Sequence, residues 1–274
     1  MNGKLPSKAP LYLIKLGGSL ITDKTRAQTA RKEVIDRLSA EISQLSASGG
    51  ASLLIGHGSG SFGHRAAAEH GIQQGVRSSE QRVGAGWTQR SAAILHGTVM
   101  QSLLEARVPA FSLSPSSFST AAAGSLQSVW PEPMLMALDL GIVPVVHGDV
   151  ILDRDRGASI SSTESVFLAL VPALASRGRF VQEIVWLGET DGVLDSKGAV
   201  IPEIDPDDIA SLAAGIEGAS GVDVTGGMRH RLETAETLAR LGVTSWIGNG
   251  LEPGSLIRAV EGEAVGGTRI LPGK

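Results

Sequence analysis

Lys15, Gly17, Gly18, Ser19 and Lys24 fall within the ten residues KLGGSLITDK (15–24). Glycines let a backbone come close to a ligand, and successive N–H groups can then cradle phosphate oxygens. The spacing is not that of a Walker A loop, which needs G-x-x-x-x-G-K-[ST]. A second stretch, IGHGSGSFGHRAA (55–67), carries Gly56, Gly58, Gly60 and Gly63 around Ser59, then His64, a residue able to donate to a phosphate. A third, DVTGGMRHR (223–231), opens a strongly patterned helix with Gly226-Gly227 and sets Arg229 and Arg231 just after it. A helix N-terminus is a positive dipole end with unpaired N–H groups, so cations there are easier to understand if an anion binds nearby. Each stretch alone is also what an ordinary turn or a solvated helix face looks like. Three of them in one chain point to a site for several phosphates.

The elements that must carry these turns alternate between strand and helix. Short apolar runs at 11–18, 51–56, 108–113, 141–148, 180–188 and 244–250 read as strands. Helical spacing of Val34, Ile35, Leu38, Ile42 and Leu45 ends at Gly49-Gly50. Further helices are expected over 80–107, 164–177 and 226–242. Each glycine stretch follows a strand or opens a helix. This β–α alternation predicts a mostly parallel sheet covered by helices on both faces.

Composition narrows the chemistry. A net charge of −4 without a basic block argues against nucleic acid as a partner. The absence of cysteine excludes disulfides, thiol catalysis and thiolate metal sites. No H-E-x-x-H occurs, so no protein metal site is expected. The first residues, MNGKLPSKAP, lack an apolar signal core, and no apolar run is long enough for a membrane span. A cytoplasmic protein is the resulting expectation.

The stretches IKLGGSLITDK, GHGSGSFGH, PVVHGDVILD, TDGVLD and DVTGGMRHR occur in an order and spacing that resembles the amino acid kinase family. Within it they look like the isopentenyl phosphate kinase branch, with SFGH the most specific element. The resemblance spans roughly residues 11–270. It implies an open three-layer αβα sandwich with a mainly parallel eight-stranded sheet, usually a homodimer. It implies one kinase domain over 1–274, with an acceptor-binding lobe to about 180 and a nucleotide-binding lobe over about 181–274. The implied reaction uses ATP and Mg²⁺ to convert isopentenyl phosphate into isopentenyl diphosphate. By the same resemblance Lys15, Gly17, Gly18 and Ser19 line the ATP phosphate path, Lys24 stabilises the transferring group, and His64 holds the acceptor phosphate. Ser59, Gly60 and Gly63 fill the acceptor-phosphate loop, Gly60 on the nucleotide side, while Gly148, Asp149 and Ser162 lie on the acceptor side. Asp191, Gly192 and Val193, with Gly226, Gly227 and Arg231, bound the nucleotide.

The chain departs from the family pattern at four places. Gly58-Ser59-Gly60 stands for three consecutive glycines, Ser161-Ser162-Thr163-Glu164 for the last part of ISGDD, Glu189 for an aspartate, and Arg231 for a lysine. Phosphoryl transfer to a phosphate needs cations and positioning rather than a carboxylate base, because the acceptor is already anionic at neutral pH. The acceptor's tail needs an apolar wall. The helix near Trp87–Met100, with Ala92, Ala93, Ile94 and Val99, is a candidate, although the same residues suit ordinary core packing. Two other readings remain: a fosfomycin-type phosphonate kinase of the same family, and a nucleotide-binding sensor that has lost catalysis.

Overall fold

The strand Leu11–Leu16 (β1) is buried along nearly its whole length, the mark of a strand covered on both faces. Its alternation sorts the two faces. Leu11 and Leu13 join one hydrophobic core, Ile14 and Leu16 the other. The computed structural model describes residues 9–23, 25–26, 28–212, 226–263 and 266–273.

β1 lies inside an eight-stranded sheet. On one side come β2 (Ser52–His57), β6 (Val143–His147) and the edge strand β3 (Ala110–Ser112). On the other come β9 (Val181–Gly188), β11 (Thr244–Asn249), β12 (Thr268–Ile270) and β10 (Glu203–Ile204). β3, β6, β2, β1, β9 and β11 run parallel. β12 is antiparallel to β11, and β10 follows β12.

One face is covered by α6 (Glu132–Asp139), α7 (Thr163–Ala175) and α8 (Gly226–Arg240), which contribute Met134, Phe167, Leu170, Leu232 and Leu238 to the Leu11/Leu13 core. The other is covered by α2 (Lys32–Ser48), α4 (Ser79–Glu105) and α9 (Ser255–Glu261), through Ile35, Leu38, Leu95, Val99 and Leu256. This is the expected αβα sandwich. Among the described residues no helix is long and apolar enough to cross a membrane.

Two features go beyond the sequence reading. A second, four-stranded sheet is built from β4 (Ser119–Ala122), β5 (Ser125–Val129), β7 (Asp149–Asp153) and β8 (Gly157–Ser161), in the order β5-β4-β7-β8. These strands are short and rich in Ser and Ala, so they carry little hydrophobic alternation for the sequence to display. The second glycine stretch is not a loop throughout either. It becomes helix α3 (Gly60–Glu69), with Gly63 and His64 inside it. The described residues also include short helical turns at α1 (Gly18–Ile21) and α5 (Pro115–Phe118) and a 3-10 turn at Pro206–Asp208.

Candidate active site

The C-terminal ends of β1, β2, β6 and β9 converge on one cavity of about 580 Å³, lined by Gly17 to Ser19, Gly58 to Ser61, Gly148 and Gly188 to Thr190. Open α/β sheets place ligands in this position, outside the carboxyl ends of the strands.

Lys15 is the penultimate residue of β1 and shares its face with Leu11 and Leu13, the face that α7 covers. Its ammonium therefore meets the first turn of α7, with Nζ 2.6 Å from Glu164 Oε1. Arg231 approaches the same carboxylate from α8. All three side chains are buried: Lys15 is 4 % exposed, Glu164 7 % and Arg231 8 %. Burial, the largest influence, pulls the Lys15 ammonium below its ordinary value, against the attraction of Glu164. Burial would raise the Glu164 carboxyl, but Lys15 and then Arg231 outweigh it and hold it below the ordinary carboxylate value. Arg231 is lowered by burial with Glu164 opposing, and a guanidinium remains charged regardless. One carboxylate for two cations leaves a net positive charge at the cavity wall, suited to an anion.

The glycines have a packing reason. The turn after β1 crosses the turn after β2 backbone to backbone. A Cβ on Gly18 would lie 2.7 Å from Gly60 N, and one on Gly58 2.8 Å from Gly18 N. Gly60 also has φ +48°, and a Cβ there would lie 2.2 Å from Thr22 Oγ1. This crossing brings two sets of N–H groups to one place. In the first turn of α3 the Ser61 N–H donates to Thr22 Oγ1 at 3.2 Å, and the Phe62 and Gly63 N–H groups donate to the Ser59 carbonyl at 3.1 and 3.2 Å. The Ser59 and Gly60 N–H groups have no acceptor among the described residues, and both residues line the cavity. His64 is exposed on the next turn of α3 and lines the cavity too.

Lys15, Gly17, Gly18, Ser19, Ser59, Gly60, His64, Gly148, Ser162, Gly227 and Arg231 are thus brought together. Other expected residues lie elsewhere. Gly63 is buried under the loop, and its missing Cβ makes room for Ser59 Oγ, 2.3 Å from where that atom would sit. Asp149 is buried and does not line the cavity. Its carboxylate accepts from the Ser116 N–H at 3.0 Å and holds the start of α5. Asp191 faces a separate depression of about 300 Å³, where it accepts from Asn249 Nδ2 at 2.8 Å. Gly192 is buried beside Thr268. Val193 belongs to the core, its N–H donating to Thr268 Oγ1 at 2.8 Å. Gly226 opens α8, and Lys24 lies outside the described residues.

The SSTE stretch departs from the family pattern, yet its residues hold the site together. Ser162 Oγ caps α7 by accepting from the Ser165 N–H at 3.1 Å. It also pairs with His230 Nε2 of α8 at 2.9 Å. Thr163 Oγ1 donates to the His57 carbonyl at 2.6 Å. The signal that could have found Glu164 was its place in a first helical turn behind a serine cap, three residues after β8 ends at Ser161. Glu189 likewise is ion-paired, with Arg31 at 2.7 Å. The proposed tail wall is corrected. Ala92 and Val99 are core residues, and none of Ala92, Ala93, Ile94 and Val99 lines the cavity. Its apolar lining comes from Ile160 and Met228. Among the described residues no group of three His, Asp or Glu side chains could hold a metal ion.

Residues 10–249 match the model of the amino acid kinase family. The chain is 36 % identical to an isopentenyl phosphate kinase of Methanothermobacter thermautotrophicus, over 95 % of this chain and 98 % of that protein. It is 31 % identical to one of Haloferax volcanii, over 90 % and 98 %. It superimposes on an X-ray structure of an isopentenyl phosphate kinase with a TM-score of 0.79, at 31 % identity, covering 95 % of this chain and all of that one.

Proposed function

The chain belongs to the amino acid kinase family, and from that premise we propose that it phosphorylates isopentenyl phosphate with ATP, giving isopentenyl diphosphate and ADP. It is a phosphotransferase. The observation that carries the reading is the single cavity in which Lys15, Arg231, the two crossed glycine turns and His64 meet.

An oxygen of the acceptor phosphate attacks the γ-phosphorus of ATP, and the bond from that phosphorus to the β–γ bridging oxygen breaks, leaving ADP. The acceptor, with a second pKa of about 6, is mostly a dianion at neutral pH and needs no base to activate it. The obstacle is repulsion between two anions, and the reaction passes through a loose transition state that needs positioning and positive charge. His64 and the Ser59 and Gly60 N–H groups hold the acceptor phosphate. Lys15 and Arg231, set by Glu164, face the transferring group, with Lys24 joining them. Gly18 and Ser19 offer N–H groups to the triphosphate, the Gly17 N–H being held by the Leu187 carbonyl at 2.9 Å, and Gly226 and Gly227 bring the N-terminus of α8 to it. The residues fit such a group: the glycine turns leave a backbone cradle, and the excess charge is positive. Glu164 and Glu189 at the cavity are both already ion-paired. Mg²⁺ brought in with ATP would supply further positive charge against the charge that develops on the transferring group.

The acceptor tail runs past Ile160. That residue packs on a small apolar cluster of Ala67, Ile72, Val150 and Ala158, with Val76 and Ala85 beside it. The acceptor-binding lobe extends to about residue 180 and the nucleotide-binding lobe from about 181. The protein works as a cytoplasmic homodimer.

The test is ADP release with Mg-ATP and isopentenyl phosphate, dimethylallyl phosphate or fosfomycin in parallel. Turnover with the prenyl phosphates is expected. Turnover with fosfomycin alone would move the chain to phosphonate substrates, and ATP binding without any turnover would make it a sensor.

A further inference from the structure

Beneath the glycine turns lies a buried group of three histidines that the transfer chemistry does not use. His57 ends β2 and His147 ends β6, and the two are register partners. Strand alternation turns both toward the face covered by α4, which supplies His96. The rings of His57 and His96 stack with centroids 5.2 Å apart, and His147 lies 5.6 Å and 4.4 Å from them. All three are buried.

Their hydrogen bonds run in one direction. A carbonyl only accepts, so His57 Nδ1 carries hydrogen and donates to the Gly58 carbonyl at 3.1 Å. In a neutral ring Nε2 is then bare, and it accepts from His96 Nδ1–H at 2.9 Å. His96 Nε2 is bare in turn and accepts from the Ser112 hydroxyl at 2.7 Å. His147 Nδ1 donates to the Gly148 carbonyl at 2.9 Å, and its buried Nε2 has no partner among the described residues. Neutrality has a cause. Burial drives His57 far below the ordinary imidazole value, with His96, His147 and Lys15 adding repulsion. Burial and then His147 pull His96 down to about 3.

The Gly58 carbonyl and the Ser59 N–H belong to one peptide unit, and Ser59 lines the cavity. A hydrogen bond to the carbonyl fixes the plane of that unit and polarises its N–H. Gly148 leaves space beside it: even a Cβ there would stop 3.7 Å from Ser59 N. We propose that Ser112, His96 and His57 form a hydrogen-bond relay that orients the Gly58–Ser59 peptide so that its N–H binds the acceptor phosphate. They are positioning residues. The assignment rests on the acceptor phosphate occupying the Ser59 turn, as argued above.

The test combines ring-nitrogen spectra of ¹⁵N-labelled protein with inorganic phosphate titration followed at the Ser59 amide. Steady-state ADP release is measured beside it. At pH 7 the wild type should show neutral Nδ1–H rings at His57 and His96. His96→Leu should weaken phosphate binding and raise KM for isopentenyl phosphate about 5- to 10-fold, the scale of one hydrogen bond, with KM for ATP within about 2-fold. His96→Gln, which can still donate to His57, should recover most of the loss. An Nε2–H or cationic His57 in the wild type overturns the proposal. So does unchanged phosphate affinity in folded His96→Leu, or a His96→Gln variant no better than His96→Leu. Should His96→Leu not fold, Ser112→Ala at an exposed position takes its place, and an unshifted His96 Nε2 resonance there overturns the relay. A wild type that shows the phosphate-dependent Ser59 shift yet never turns over isopentenyl phosphate defeats the kinase reading and leaves the relay standing.

Discussion

At the scale of single residues, side chains at this site divide into those that meet the ligand and those that hold others in place. His64 is exposed on α3 and makes no hydrogen bond that the fold needs. His64→Ala should therefore lower kcat/KM for isopentenyl phosphate about 10- to 100-fold, the scale of a hydrogen bond to a charged group. The melting temperature should not move. Unchanged kinetics would remove His64 from the site. The buried histidines behave oppositely. The folded-state values of His57 and His96 are depressed below the unfolded value of about 6.5, so the unfolded chain binds protons first as the pH falls. Stability is then full above about 6.5 and declines on acidification, down to about 3 for His96. His57 and His96 together should cost about 2 kcal/mol between pH 6.5 and 5.5. Urea melts across that range measure it, and His96→Leu should roughly halve the slope. A flat profile would mean that the cluster carries a proton in the folded state.

At the scale of elements, the site is a crossing of two turns rather than a single loop. Gly60 and Gly71 both have left-handed φ values, +48° and +61°, but only Gly60 is enclosed. Gly71→Ala should cost about 1 kcal/mol, the backbone penalty alone. Gly60→Ala adds a collision with Thr22 and the Gly18 carbonyl and should cost at least about twice as much. It should also raise KM for both substrates, because the two turns share the contact. Thermal melts and kinetics on the pair check this, and equal costs would mean that the turns move independently. The Ser162–His230 pair links α7 to α8 in a similar way, tying the start of α7 to the helix that carries Arg231.

At the scale of the whole molecule, Val83, Trp87 and Ile94 form an exposed stripe along α4, and Phe111 is exposed on the edge strand β3. Apolar residues gathered on a helix and an edge strand suit a self-complementary interface. Analytical ultracentrifugation should find a dimer that Ile94→Asp with Phe111→Asp converts to monomers. A monomeric wild type would remove the homodimer. Much of the rest was legible without the fold. The β–α alternation announced a parallel sheet, because burial on both faces needs continuous apolar runs. The glycine–cation turns pointed to an anion site, because such turns bring N–H groups and charge together, and residues of all three stretches line one cavity. What the chain alone could not show depends on residues distant in sequence. Glu164 read as a departure until strand alternation and α7 packing set it against Lys15, 149 positions away. Asp149 and Val193 carried the right motif and still faced inward, because side-chain direction follows the pleat and the neighbouring elements. The three histidines looked unrelated at 57, 96 and 147. Register between β2 and β6, and the seating of α4, decided that they touch.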